Sequence, residues 1–204
     1  EELKFQGDIF FIHDPQPVAL IARKKELEGK WIWRCHIDIS NPDKGVWEFV
    51  RNFVVDYDAA VFSAPNFSQE LPIRQFMISP SIDPLSDKNK ELSSETIDSV
   101  LNKYGMDKDK PIIAQISRFD YLKDPLGVIQ AFEMVRKSID CQLILAGGTA
   151  TDDTESEKVL EEIRERASGN PDIHILVIPQ ESDIEINALQ QAATVILQKS
   201  IKEG

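Results

Sequence analysis

The chain alternates short apolar runs rich in β-branched residues with longer amphipathic stretches, and this alternation restricts its fold more than any other feature. Runs such as PIIAQIS, CQLILAGG and IHILVIP have the length and composition of buried strands. They are separated by stretches of about a dozen residues with helical spacing of apolar side chains, such as DPLGVIQAFEMVRKS. Strands joined through helices form parallel sheets, because a parallel pair needs a long crossover. The pattern therefore predicts an α/β protein.

The segment SPSIDPLSDKNKELS interrupts the alternation. Its prolines, Pro80 and Pro84, oppose regular structure, and charged residues replace apolar ones. We therefore expect a linker at residues 81–92, with one α/β unit before it and a second α/β unit after it.

The charge balance limits the classes of partner. The 204 residues include 23 basic and 35 acidic ones, which gives a formal net charge of −12. Such a chain repels polyanions, so nucleic acid and anionic membranes are not expected as partners. An anionic small molecule is still compatible with the sequence where a few cations and helix N-termini collect around it.

Several absences bear on location and on metals. No apolar run approaches the roughly 20 residues of a membrane span. The acidic N-terminus lacks the basic start of an export signal, and Cys35 and Cys141 lie in apolar runs, which favours two buried free thiols over the alternative of a disulfide. We therefore expect a cytoplasmic protein. His13, His36 and His174 are far apart in sequence and no CxxC occurs, so no metal site is predicted.

The segment ISRFDYLKDP carries the first candidate site. It lies between the predicted strand PIIAQI and a helix that begins near Pro125, at the sheet edge where α/β proteins bind ligands. Arg118 offers a planar fork that matches phosphate oxygens, Lys123 adds a mobile charge, and the helix N-terminus adds a favourable dipole. The alternative is a pair of solvated cations neutralised by Asp120 and Asp124.

A double glycine, Gly147 and Gly148, ends the predicted strand LILAGG. Glycine lets a backbone approach a ligand closely, and it serves a tight turn equally well. The segment does not fit the GxGxxG fingerprint, so nothing here favours an NAD-linked dehydrogenase.

The segment HDPQP follows the first predicted strand and places a histidine, a carboxylate and an amide at its carboxyl end. His13, Asp14 and Gln16 suit hydrogen bonding to sugar hydroxyls. The alternative is ordinary turn chemistry, with Asp14 capping the next helix.

The run WIWRCHIDI is predicted to be a single strand, residues 31–39. Arg34, His36 and Asp38 would then alternate along one of its faces. Three polar groups on one face of a buried strand are costly unless they are paired or face a cleft. This pattern favours a site.

Together these segments resemble the retaining glycosyltransferase family that contains sucrose-phosphate synthase, which has the GT-B fold of two Rossmann-like parallel-sheet domains. ISRFDYLKDP is similar to the family segment in which an Arg and a Lys five residues on hold the donor diphosphate. SIKEG is similar to the start of the family's Glu–seven-residue–Glu element, whose first glutamate contacts the donor sugar. The resemblance implies catalytic roles for Arg118, Lys123 and Glu203. It implies donor-binding roles for Gly147 and Gly148, and for the residues at the family's base-binding position, Ile178, Pro179 and Gln180.

Within the family, HDPQP, WRCHIDIS and SPSIDPLSDKN resemble the trehalose-forming branch, the trehalose glycosyltransferring synthases. That resemblance implies a hexosyltransferase that moves glucose from UDP-glucose or ADP-glucose to glucose with retention, forming α,α-trehalose. It implies small-molecule substrates and neither cofactor nor metal, and the sequence is compatible with a homodimer. The alternatives are a trehalose phosphorylase and a non-catalytic nucleotide- or glycan-binding module. In the branch, His36 would reach the donor sugar, and the acceptor would contact His13, Asp14, Gln16 and Arg34.

The sequence also departs from the family pattern. The family's N-terminal glycine-rich loop is missing, and so is the glutamate expected after Glu203. Two Rossmann-like domains need roughly 300 residues. We therefore expect an internal portion of a longer protein, with both domains incomplete. Residues 1–80 would end the N-terminal, acceptor-side domain, and residues 93–204 would begin the nucleotide-sugar-binding domain. The sequence leaves open whether this portion is active alone.

Overall fold

The structure, a computed structural model, describes residues 6–148, 154–179 and 181–201. The chain divides into two compact units, and the boundary between them falls between Ser81 and Ile82. Each unit is built on its own four-stranded sheet.

The first unit is a parallel sheet with its strands in the order β1-β2-β3-β4. The strands are β1 Ile9–His13, β2 Lys30–Arg34, β3 Ala59–Phe62 and β4 Arg74–Met77. The connections contain a 3₁₀ helix at Val18–Lys25, the α-helix α1 at Lys44–Val54 and a short 3₁₀ helix at Pro65–Phe67. Helix α1 begins after Asp43, whose carboxylate accepts a hydrogen bond from the Val46 N–H at 2.9 Å.

The core of the first unit lies on one face of its sheet. Alternate strand residues point to that face, where the helices cover Trp31, Trp33 and Phe62. On the opposite face, Phe11 and Phe76 are 44% and 49% exposed. The first unit is therefore packed on one side within the described residues.

The prediction that residues 31–39 form one strand is wrong. Strand β2 ends at Arg34, and the Cys35 N–H makes one more bond, to the Val61 carbonyl at 3.0 Å. The next N–H, of His36, donates to the Asp14 carboxylate at 2.9 Å instead of to a strand. Because β1 and β3 end at this level, no backbone partner remains for further residues. Arg34, His36 and Asp38 therefore do not alternate along one strand.

The second unit is also a parallel sheet, with its strands in the order β7-β6-β5-β8. Its strands are β5 Ile112–Ile116, β6 Gln142–Gly147, β7 Ile173–Val177 and β8 Val195–Ile196. Its helices are α2 Ser94–Lys103, α3 Pro125–Arg136, α4 Thr154–Ala167 and α5 Asp183–Ala192. Helices α2 and α5 cover one face and α3 and α4 the other, so both faces of the sheet are buried.

The segment expected to act as a linker, residues 81–92, lies from Ile82 onward in the second unit. The buried Asn187 amide of α5 donates to the carbonyls of Asp87 at 2.9 Å and Lys90 at 2.7 Å. No helix among the described residues has the length and apolar character needed to cross a membrane.

Candidate functional site

A pocket of about 380 Å³ lies at the carboxyl edge of the second sheet. Its walls come from the ends of β5, β6 and β7, from the start of α5 and from one residue of the 82–92 segment. In an open parallel sheet this edge is where ligands bind, and the volume is within the range of small-molecule sites.

Five residues that the sequence singled out line this pocket. They come from three different strand ends, so the fold brings together segments that are distant in sequence. The five are Arg118, Gly147, Gly148, Ile178 and Pro179. Their individual roles stay predictions.

Arg118 is held only loosely by the protein. Its guanidinium side chain is 70% exposed, and it lies 3.3 Å from the Asp120 carboxylate. The ion pair of the alternative interpretation is therefore present for Arg118. A pair this exposed contributes little to stability, so an anionic ligand could compete with Asp120 for the guanidinium.

Lys123 ends a fixed 3₁₀ turn, Tyr121–Lys123, and is not among the residues that line the pocket. The buried Gln115 amide donates to the Lys123 carbonyl at 2.7 Å. Asp124, the acid expected beside Lys123 in the alternative interpretation, accepts from the Gly127 N–H at 3.0 Å and pairs with Lys199. Asp124 thus begins helix α3 from a left-handed conformation, with φ at 48°.

The two glycines at the end of β6 differ in what surrounds them. A Cβ on Gly147 would lie 1.8 Å from the Ser117 carbonyl oxygen, so the fold itself requires glycine there. A Cβ on Gly148 would approach nothing closer than the Ile178 carbonyl, at an ordinary 3.5 Å. Packing explains Gly147, whereas the open side of Gly148 faces the pocket.

Sequence reasoning missed two charged residues of the pocket, Lys88 and Asp183. The Lys88 ammonium lies 3.3 Å from the Asp183 carboxylate. Lys88 belongs to the proline-containing segment and Asp183 to the start of α5, so no local pattern joins them. The one available signal was Asn187, a polar residue on the apolar face of α5.

In the first unit, HDPQP and WRCHIDI come together at the ends of β1 and β2. The His13 Nδ1 and His36 Nε2 atoms are 2.8 Å apart, and the two rings stack with their planes 10° apart. Asp14 holds the second segment, because its carboxylate accepts from the His36 N–H and its carbonyl accepts from the Trp33 indole at 3.0 Å. One imidazole must donate to the other in this contact, so it forms when at most one of the two rings carries a second proton.

The remaining first-unit residues have different surroundings. Arg34 is buried, and its guanidinium donates to the Ile78 carbonyl at 2.9 Å and to the Ser63 hydroxyl at 3.1 Å, which satisfies its burial. Gln16 is exposed in the turn after β1. Burial raises the pKa of the Cys35 thiol to about 11, so Cys35 is not a thiolate nucleophile at neutral pH.

Two predicted residues, Gln180 and Glu203, lie outside the described residues. The segment before Glu203 reaches the turn that contains Lys123, because the Ile201 N–H donates to the Leu122 carbonyl at 2.7 Å. Across residues 6–148, 154–179 and 181–201, no group of three or more His, Cys, Asp or Glu side chains could hold a metal ion.

Two family models match the chain. Residues 1–69 match the model described as trehalose synthase, N-terminal domain, and residues 96–204 match the model described as glycosyl transferases group 1. A trehalose synthase of Rubrobacter xylanophilus is 40% identical over 206 residues, and one of Pyrococcus horikoshii is 42% identical over 201 residues. These matches cover 98% and 97% of this chain but only 49% and 48% of the relatives. The chain therefore spans about half the length of the curated relatives it matches.

Solved structures show the same fold at low sequence identity. A trehalose-6-phosphate synthase superposes with a TM-score of 0.73 at 14% identity, over 96% of this chain and 52% of the other. An Anabaena protein solved in complex with UDP and glucose has a TM-score of 0.70 at 13% identity, over 95% and 52%. Together with the two parallel sheets, these neighbours confirm the predicted α/β fold of the GT-B class.

Proposed function

Because the chain belongs to the group 1 glycosyl transferases, we propose that the full-length protein moves glucose from a nucleoside-diphosphate glucose to glucose, with retention, and forms α,α-trehalose. Relatives named trehalose synthase match 97–98% of the chain, which supports trehalose as the product. As the chain spans half of those relatives, the activity is proposed for the longer protein.

The observation that carries the proposal is the pocket at the carboxyl edge of the second sheet. It combines one exposed guanidinium, Arg118, with an open glycine backbone at Gly148 and apolar walls from Ile116, Ile178 and Ile186. Negative charge builds on the diphosphate as the glycosidic bond breaks, and Arg118 and Lys123 would stabilise that charge. The apolar walls would hold the rest of the nucleotide.

In the first unit, the resemblance assigns the acceptor glucose to His13, Asp14 and Gln16, and the donor sugar to His36. The exposed rings and amide and the half-buried carboxylate have donors and acceptors suited to sugar hydroxyls. The Asp14 bond to the His36 N–H would keep the two segments in register during turnover.

The product assay uses full-length protein with UDP-glucose or ADP-glucose and ¹³C-labelled glucose. We expect trehalose labelled in one ring, separated by chromatography, with both anomeric centres α by NMR. Trehalose formed only from glucose 1-phosphate would identify a phosphorylase instead. Nucleotide binding without any product would identify a non-catalytic module.

Replacing Arg118 tests the diphosphate role. In full-length protein, Arg118→Ala should lower kcat/KM for the nucleotide sugar by roughly 100-fold or more, because a group aimed at developing charge is lost. Steady-state kinetics measure this effect, and the melting temperature should not change because the side chain is 70% exposed. Arg164→Ala, which removes an exposed arginine of α4, is the matched control. Equal activity of the two variants would contradict the role.

A further inference from the structure

The Lys88–Asp183 ion pair lies in the wall of the pocket that also contains Arg118. Neither residue was given a role from the sequence motifs, although Lys88 lies within the SPSIDPLSDKN segment. The pair offers a ligand at the pocket wall both a hydrogen-bond donor, the lysine, and a hydrogen-bond acceptor, the aspartate.

The fold holds Lys88 in place through the residues on either side of it. The Asn187 amide, 2% exposed, donates to the Asp87 and Lys90 carbonyls, and Gln191 donates to the Lys90 carbonyl at 2.9 Å. A buried polar side chain at a helix interior is retained only where it is satisfied, and Asn187 is satisfied by this segment. Lys88 is thus fixed against the first turn of α5, beside Asp183.

The sign of the charges indicates which part of a nucleotide this wall can receive. A diphosphate beside Asp183 would be repelled, whereas Asp120, the acid near Arg118, does not line the pocket. Asp120 is also engaged by the Leu122 N–H at 2.7 Å. The neutral, polar portion of the nucleotide therefore suits the Lys88–Asp183 wall, and the phosphates suit Arg118.

We propose that Lys88 and Asp183 bind the nucleoside portion of the donor nucleotide through their side chains. Uracil presents an N–H donor next to a carbonyl acceptor, and adenine presents an amino donor next to a ring-nitrogen acceptor. The ammonium would donate to the acceptor and the carboxylate would accept from the donor in either case. A site with this donor and this acceptor would bind both uracil and adenine. The inference rests on the proposed function, since it deepens the nucleotide site described there.

The test compares two double variants of the full-length protein by calorimetry with UDP, ADP and inorganic pyrophosphate. Lys88→Met with Asp183→Asn removes one charge of each sign and keeps the net charge of the pocket. Lys90→Met with Asp87→Asn is the matched control, because that ion pair, at 2.6 Å, lies in the same segment and does not line the pocket. The first double substitution should weaken the affinity for UDP and for ADP at least about tenfold, and it should change the affinity for pyrophosphate by less than about twofold.

Three results would overturn the inference. Unchanged UDP and ADP affinity would remove any role for the pair, and an equal loss for pyrophosphate would make Lys88 a phosphate ligand. A wild-type protein that binds neither UDP nor ADP would remove the nucleotide site altogether. The product assay keeps the two proposals apart. If the wild type makes trehalose and the double variant binds UDP as tightly as the wild type, this inference alone is refuted. If the double variant selectively loses UDP affinity but the wild type makes no trehalose, only the proposed reaction is refuted.

Discussion

At the scale of single residues, the double glycine at the end of β6 shows how one motif can combine two requirements. Glycine is required at position 147 because a Cβ there would lie 1.8 Å from the Ser117 carbonyl oxygen. Gly148 has no such neighbour and lines the pocket. The sequence left a tight turn and a ligand approach as alternatives, and the surroundings of the two glycines separate them.

Alanine at these two positions should therefore affect different properties, stability at Gly147 and ligand binding at Gly148. Gly147→Ala should lower the melting temperature by roughly 2–10 °C, because the new methyl group overlaps backbone and the chain must shift. Gly148→Ala should melt like the wild type and lose about tenfold in UDP affinity, because its methyl group occupies pocket space. Thermal melts and calorimetry measure the two effects. A stable Gly147→Ala variant, or a Gly148→Ala variant with full UDP affinity, would contradict this distinction.

Several site residues were predictable because their chemistry is local. Arg118 follows one parallel strand, His13 is the last residue of another, and Asp14 comes directly after it. Lys88 was not predictable, because its place in the pocket depends on how the 82–92 segment folds back onto α5. No spacing in the sequence encodes that contact.

At the scale of elements, strand β2 shows the limit of periodicity as a guide. Residues 31–39 keep an alternating pattern to the end, yet the strand stops at Arg34 because its neighbours stop there. A strand needs neighbouring strands to pair with its backbone groups, and the sequence of one strand does not show where its neighbours end. Strand and helix order were predictable, whereas this boundary was not.

The segment at residues 83–90 is held against α5 by the Asn187 side chain. Asn187→Ala should release it from α5, because the amide that holds the Asp87 and Lys90 carbonyls is lost. Trypsin should then cut after Lys88 and Lys90 several-fold faster, as local opening exposes them. Gel electrophoresis and mass spectrometry of the fragments measure the rate. Gln190→Ala, on the exposed side of α5, is the control, and equal rates in both variants would refute the tether.

At the scale of the whole molecule, ionic contacts at the amino edge of the second sheet make stability depend on pH. Asp172 accepts from Arg136 at 2.6 Å and from Lys110 at 3.0 Å. These partners hold the pKa of the Asp172 carboxyl below its ordinary value. The stabilisation is fully present above the ordinary carboxyl pKa of about 4, and it is lost as the pH falls through the lower pKa of the folded state.

Asp172→Asn should accordingly lower the melting temperature at pH 7 by a few degrees, roughly 2–4 °C, and the difference from wild type should shrink as the pH falls below about 4. Melting curves from pH 7 to pH 2.5 measure this trend. Asp109→Asn, an exposed aspartate near the same sheet edge, should show no such trend. A difference that is constant with pH would exclude the ionic origin.

The alternation of strands and helices specified both parallel sheets, because each segment had to bury an apolar face or stripe. The strand order β7-β6-β5-β8 could not be derived the same way. It depends on which strand packs beside β5 after α5 has crossed the sheet, and β6 and β8 are both apolar enough to do so.

That strand order also sets a sequence of events during synthesis. Strand β8 pairs with β5 through Val195 and Ile113, about eighty residues apart, and the Ile201 N–H then bonds to the turn that contains Lys123. On the ribosome, the Arg118–Lys123 loop emerges well before the residues that complete its surroundings. A nascent chain would therefore leave one edge of β5 unpaired until β8 arrives, and the pocket at the carboxyl edge of the sheet would form only once α5 has supplied Asp183 and Ile186.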